Sequence, residues 1–184
     1  MNNLYVLGPK GSVSSFVAQR FARAYKIVYC RNFTELFRRA RRSGGVVLAP
    51  VQNKIIGTVE ETKRQMGSGE WHIIRRIRVP VRFVLAVKMS EKAGRIGLED
   101  VQRIYGPIQA VDQCRKFLRK YCRGVPITLV QTTGAAFKKV VQLKRLKGAA
   151  IGASEGAMLH NLYALAANIQ DDRDDWTEFA LVHL

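Results

Sequence analysis

Short apolar runs alternate with segments of helical spacing along nearly the whole chain, which restricts it to a layered α/β architecture. Leu4-Tyr5-Val6-Leu7 reads as a first strand, followed by a turn over Gly8–Ser12. Ser12 or Ser14 is placed to cap a helix to about Tyr25, along which Val13, Phe16, Val17, Phe21 and Ala24 keep helical spacing. Asn32 or Thr34 opens a second helix marked by Phe33, Leu36 and Phe37. Val46–Val51 is a buried strand ended by Pro50 and Asn53, and Thr58–Met66 a helix. Val79, Val81, Phe83, Leu85 and Val87 alternate over one strand. Then follow a strand over Val101–Tyr105, a helix over Gln109–Tyr121, a strand over Ile127–Val130 and a helix over Thr133–Leu143. A strand over Ala149–Ala153, a helix from Ser154 to about Asn161 and short strands near Leu162–Asn168 and Phe179–His183 complete the pattern. Gly67, Ser68 and Gly69 are the best candidate for a flexible joint.

A hydrophobic content of 47% over 184 residues supports a folded core, and the charge narrows the partners. Lys and Arg number 31 against 14 Asp and Glu, a net charge of +17. The basic residues are bunched. Arg38, Arg39, Arg41 and Arg42 form one cluster, and Arg75, Arg76, Arg78 and Arg82 a second. Arg115, Lys116, Arg119, Lys120 and Arg123 form a third, and Lys138, Lys139, Lys144, Arg145 and Lys147 a fourth. Solubility asks only for a net charge of about 2–8, so the surplus points to an extended polyanion bound through its phosphates. No helix-turn-helix or zinc-finger signature for reading DNA bases is present. Structured RNA, ribosomal RNA above all, is therefore the expected partner, with neighbouring ribosomal proteins beside it and Tyr121 and Trp71 available to stack on bases.

Other classes are excluded. No apolar run reaches the roughly 20 residues of a membrane span, and no segment joins a basic face to a fully apolar one, so no membrane partner is expected. The first strand begins too early for a signal peptide. Cys30, Cys114 and Cys122 are odd in number and lack close pairs, as in reduced cytoplasmic proteins. With His72, His160 and His183 scattered, they offer no metal site.

Five motifs, in order, resemble the catalytic domain of prephenate dehydratase over about Leu4 to Leu184. Leu7-Gly8-Pro9-Lys10-Gly11-Ser12-Val13-Ser14 is similar to that family's Gly-Pro-Glu-Gly-Thr-Phe-Ser. Pro50-Val51-Gln52-Asn53-Lys54, followed by Gly57-Thr58-Val59, resembles its Pro-Ile-Glu-Asn-Ser and Gly-Ser-Val. Tyr105-Gly106-Pro107-Ile108-Gln109-Ala110 resembles its Tyr-Ser-His-Pro-Gln-Ala, and Thr132-Thr133-Gly134-Ala135-Ala136 its Ser-Thr-Ala-Glu-Ala. Asn168-Ile169-Gln170-Asp171 and Thr177-Glu178-Phe179 resemble its closing Asn-Ile-Gln-Asp and Thr-Arg-Phe.

The resemblance implies a two-lobed α/β fold of the type II periplasmic-binding-protein kind, crossed twice by the chain. Residues of about 1–77 and 160–184 would form one lobe and about 78–159 the other. It implies a cleft for prephenate, a small dicarboxylate, and no cofactor or metal. It also implies that the chain ends where a regulatory ACT domain would begin, without a chorismate mutase segment, so that control by phenylalanine through such a domain is not expected.

Thr177 matches the family's acid, and Asn53, Gln109 and Thr133 match polar positions of its motifs. Three departures stand against them. Glu178 replaces a cationic arginine, Gln52-Asn53-Lys54 replaces Glu-Asn-Ser, and Gly106-Pro107 replaces Ser-His. An anion at 178 would repel a carboxylate by several kcal/mol at about 4 Å. The expectation is a ribosome-associated, catalytically inactive protein built on this fold. The alternative is an active prephenate dehydratase, or a decarboxylase-like relative in which Lys54 pairs with Glu178 and holds another small carboxylate.

Overall fold

A computed structural model describes residues 1–67, 70–88, 96–144 and 147–184. Ser68 and Gly69 of the expected joint, and Arg145 of the fourth basic cluster, lie outside the described residues. The chain divides into two compact units, Met1–Pro80 with Asp174–Leu184, and Val81–Arg173.

The first unit opens with β1 (Asn2–Leu7) and α1 (Val13–Gln19), whose N-cap Ser12 accepts from Ser15 N at 3.2 Å. The helix stops well short of Tyr25, because Tyr25–Cys30 is a strand, β2, paired in parallel with β1 from Asn2↔Tyr25 to Leu7↔Cys30. Tyr25, Ile27 and Tyr29 pack on one side and Val28 on the other, so the strand lacks a polar/apolar alternation by which to read it. Next comes α2 (Phe33–Ser43), where Asn32 accepts from Glu35 N at 2.8 Å and Gly44, at φ 64°, closes the helix with a bond to Ala40 O.

Then follow β3 (Val46–Asn53), β4 (Gly57–Thr58), α3 (Glu60–Met66) and β5 (His72–Pro80). Pro50 does not end β3. β1 pairs with β3 only as far as Leu48, and a register shift opposite Pro50 accommodates its missing N–H.

The strand expected across Val79–Val87 breaks after Pro80, and its second half, β6 (Phe83–Lys88), belongs to the second unit. There β7 (Arg103–Gly106), α4 (Ile108–Asp112), α5 (Arg115–Tyr121), β8 (Ile127–Leu129), α6 (Thr133–Gln142), β9 (Gly148–Ala153), α7 (Ser154–Leu159) and β10 (Leu162–Ala167) follow. The sheet order is β10-β6-β9-β7-β8. Because β10 pairs antiparallel with β6, the division falls after Arg173 instead of near residue 160. The single helix expected over Gln109–Tyr121 is two, α4 and α5. The Asp171 carboxylate accepts the Lys116 N–H at 2.9 Å, satisfying a donor of a new helix start, while Asp171 N donates to Gln113 O.

The chain returns to the first unit as β11 (Trp176–His183), inserted antiparallel between β3 and β5 to give the order β2-β1-β3-β11-β5, with β4 on β3. It starts three residues earlier than its apolar run, which places Thr177 and Glu178 inside the sheet. On one face Ala49, Ala180 and Val182 pack with Phe37 and Trp71. On the other, Leu4, Val6, Leu48, Phe179 and Leu181 pack with Val17 and Ala18 of α1.

Candidate functional site

In the first unit, β3 and β11 bring Asn53 directly opposite Thr177, and Gln52 opposite Glu178. Asn53 is only 7% exposed. Its Oδ1 accepts the N–H groups of Ile55 (3.0 Å) and Ile56 (2.9 Å) in the turn that follows β3. Those two donors fix the amide orientation, since a flipped amide would set NH₂ against two N–H groups. Nδ2 must then face β11, where it donates to Asp175 Oδ1 (3.2 Å), Trp176 O (3.0 Å) and Thr177 Oγ1 (3.1 Å). The Thr177 oxygen is thereby an acceptor from Asn53, and its own proton remains available to another acceptor. Lys54, the next residue, donates its backbone N–H to Trp176 O at 3.0 Å.

Neighbouring strand residues point to opposite faces, so Glu178 does not share the side of the sheet on which Thr177 meets Asn53. Glu178 is 6% exposed and doubly paired: Arg76 Nη1 donates to Oε1 at 2.8 Å and Arg78 Nε to Oε2 at 2.9 Å. The Arg78 guanidinium also lies 4.3 Å from the centre of the Trp176 ring. Hydrogen bonds from Arg76 and then Arg78 hold the Glu178 carboxyl below the usual carboxylate range, against the opposing effect of burial. The expected pairing of Lys54 with Glu178 is therefore corrected: both carboxylate oxygens are taken by arginines of β5. So is the expected repulsion, because one anion and two cations leave this corner with a net positive charge. Asp175 and the partners of Glu178 were not found from sequence. Asp175 has only aspartates and Arg173 beside it in the run Asp171–Asp175, which gives no sign of its burial, and the arginines fall within a basic cluster.

In the second unit, Gln109 sits in the exposed first turn of α4 and Thr133 at the start of α6, half-buried. A Cβ at Gly106 would come within 3.2 Å of Val111 Cγ2 and 3.4 Å of Ile151 Cβ, a close contact with two side chains. Cys30, Cys114 and Cys122 are free and buried. Burial, with Asp171 nearby, pushes the Cys114 thiol up to about 12, which removes it from nucleophilic chemistry at neutral pH.

The basic clusters lie on or beside several elements: Arg38, Arg39, Arg41 and Arg42 on α2; Arg75, Arg76 and Arg78 on β5, with Arg82 just after it; Arg115, Lys116, Arg119 and Lys120 on α5, with Arg123 just after; and Lys138 and Lys139 on α6, with Lys144 and Lys147 beyond its end. Some of this charge has partners within its own unit. Arg39 pairs with Glu35, Arg41 with Glu70 and Arg115 with Asp112, while Arg82 donates to Arg173 O. Trp71, considered for base stacking, is buried edge-on against Phe37. Among the described residues no helix is long and apolar enough to cross a membrane.

The family model for prephenate dehydratase matches residues 4–184. The prephenate dehydratase of Methanocaldococcus jannaschii is 29% identical over 184 residues, covering 97% of this chain and 63% of that protein. The bifunctional chorismate mutase/prephenate dehydratase of Escherichia coli K12 is 25% identical over 181 residues, covering 96% of this chain and 45% of that protein. Among solved structures, prephenate dehydratase of Arthrobacter aurescens in complex with L-Phe superposes with a TM-score of 0.84 at 26% identity, covering 100% of this chain and 60% of that one. The chain thus spans between about half and two thirds of the length of these relatives. The expected fold class, α/β of the prephenate dehydratase and type II periplasmic-binding-protein kind, holds. These matches overturn the expected RNA-binding, ribosome-associated protein, together with ribosomal RNA and ribosomal proteins as partners, and favour the alternative of the prephenate dehydratase kind. Likeness to enzymes of a small acid runs the length of the chain, whereas a basic surplus describes the surface and identifies no polyanion.

Proposed function

The chain belongs to the prephenate dehydratase family, and we propose that it is a lyase converting prephenate to phenylpyruvate, water and carbon dioxide. The observation that carries this reading is the Asn53–Thr177 hydrogen bond, which joins two residues matching separate family motifs. Loss of the ring carboxylate as carbon dioxide leaves an electron pair that aromatises the ring and expels the hydroxyl at the opposite carbon. Thr177 Oγ, held as an acceptor by Asn53, gives its proton to that leaving oxygen, and solvent restores it. The electron balance closes within the substrate, so the proposed reaction calls for no redox partner.

Asn53 and Lys54 are proposed as substrate-positioning residues beside Thr177, and Gln109 and Thr133 as substrate-binding residues of the second unit on the strength of their motifs. The three free thiols accord with a proposed place in a reducing cytoplasm. The test is formation of phenylpyruvate from prephenate by the purified chain. Thr177→Val is expected to lower kcat by about 10²–10⁴-fold, with Thr177→Ser retaining most of it. No turnover by the unaltered chain, or full turnover by Thr177→Val, overturns the assignment.

A further inference from the structure

A cavity of about 330 Å³ lies in the first unit, bordered by Val51 and Gln52 of β3, Lys63 and Met66 of α3, and Ile73 and Arg76 of β5. Its wall is fixed where Thr62, on α3, donates its hydroxyl to Pro50 O at 2.6 Å and so ties the helix to β3. Two of its groups are cationic. Lys63 is exposed and has Glu60 at 3.8 Å, a loose surface pair. Arg76 differs. Its Nη1 is anchored by the buried carboxylate of Glu178, while 53% of its side chain stays accessible and, among the described residues, Glu178 alone pairs with its fork of donors. Val51, Met66 and Ile73 supply an apolar wall without an aromatic ring.

From this arrangement we infer a second binding site, distinct from the Asn53–Thr177 pair, for a small monocarboxylate with a compact aliphatic body. Arg76 and Lys63 hold the carboxylate, the Gln52 amide gives a further donor, and the aliphatic body rests on Val51, Met66 and Ile73. The volume lies at the small end of the range for ligand pockets, about 300–1,000 Å³, which suits a short chain. Glu178 is the positioning residue, because it holds the Arg76 guanidinium in place before a ligand arrives. The inference does not rest on the reaction proposed above, since the groups of the cavity and Thr177 belong to opposite faces of β11 and its neighbours.

The test is titration calorimetry of the whole chain with hexanoate, and with hexan-1-ol as the uncharged control. Saturable binding of hexanoate is expected, with the alcohol at least about tenfold weaker. Arg76→Ala should weaken hexanoate by about tenfold or more, and Thr177→Val should leave it within about twofold. Ile73→Glu, at a position already 42% exposed, sets a carboxylate at the wall and should abolish binding even if Arg76→Ala fails to fold. Absence of saturable binding, equal binding of the alcohol, retention of binding in Ile73→Glu, or its loss in Thr177→Val overturns the site. The last outcome would place hexanoate at Thr177 instead.

Discussion

Asn53 and Thr177 stand directly opposite each other across β3 and β11, and the Asn53 amide nitrogen donates to the Thr177 hydroxyl oxygen over 3.1 Å. The direction of that bond matters more than its length. An aspartate at 53 keeps the shape but has no N–H, so it would accept the Thr177 proton instead of leaving it for a substrate. Asn53→Asp is therefore expected to reduce kcat for prephenate by about 10²-fold or more. Asn53→Ala also strips the partner of the Ile55 and Ile56 N–H groups and should cost about 1–2 kcal/mol in urea unfolding. An unchanged kcat in Asn53→Asp would take the proton-donor role away from Thr177.

Glu178 can be read as a damaged motif or as a replacement part, and substitution separates the two. Restoring the family's arginine by Glu178→Arg would crowd three guanidiniums on one face of β5 and β11. It is expected to destabilise the chain more than Glu178→Gln, which should itself cost about 1–2 kcal/mol. That is less than the 3–5 kcal/mol of a fully buried pair, because both arginines reach solvent. Adding Arg78→Glu to Glu178→Arg should recover part of the loss, since these residues are directly paired in the strand register. The measurement is a double-mutant cycle in urea, and a Glu178→Arg chain as stable as the parent would refute the paired arrangement.

The same contacts fix a pH dependence. The folded Glu178 carboxyl titrates below its unfolded value, so the unfolded chain binds the proton more readily. Its stabilisation is fully present above the unfolded value of about 4.3 and is lost as pH falls through the lower folded value. Glu178→Gln should thus be less stable than the parent at pH 7. The gap should stay constant down to about pH 5 and narrow below about pH 4.3. Unfolding curves from pH 7 to pH 2 measure this, and a gap that widens on acidification contradicts it.

Much of this was legible from residues, and the remainder was hidden for identifiable reasons. Alternating elements and five ordered motifs led to the fold and to Asn53 and Thr177. β2 was missed because both faces of Tyr25–Cys30 are covered, so helical and strand periodicities compete over Phe21–Tyr29. The break between β5 and β6 was missed because Val79 and Val81 continue the alternation across Pro80 although they belong to different units. The role of Glu178 was invisible because its partners lie about 100 residues upstream and meet it only through the register of β5 with β11. Local composition reads Arg75–Arg82 as a basic patch, and only that register shows two of its members bound to a buried acid.

Gly152 tests the packing of the second unit. β9 reads Gly-Ala-Ala-Ile-Gly-Ala, and its small residues let α6 lie close. A Cβ at Gly152 would stand 2.4 Å from Phe137 Cζ, 2.8 Å from Phe137 Cε2 and 3.1 Å from Thr133 Cβ. Phe137 is fully buried among Val84, Ala86, Ala150 and Ala157, so its ring has no room to turn aside. Gly152→Ala is therefore expected to destabilise the second unit by about 1–3 kcal/mol, and Phe137→Leu in the same chain should relieve part of the clash. Both tryptophans, Trp71 and Trp176, belong to the first unit, so their fluorescence is the wrong probe. Far-UV circular dichroism, which senses β9 and α6, should show an early transition at lower urea while the tryptophan signal keeps its midpoint. Coincident transitions displaced together would mean that the two units unfold as one, and an unmoved transition would mean that α6 retreats from β9 at no cost.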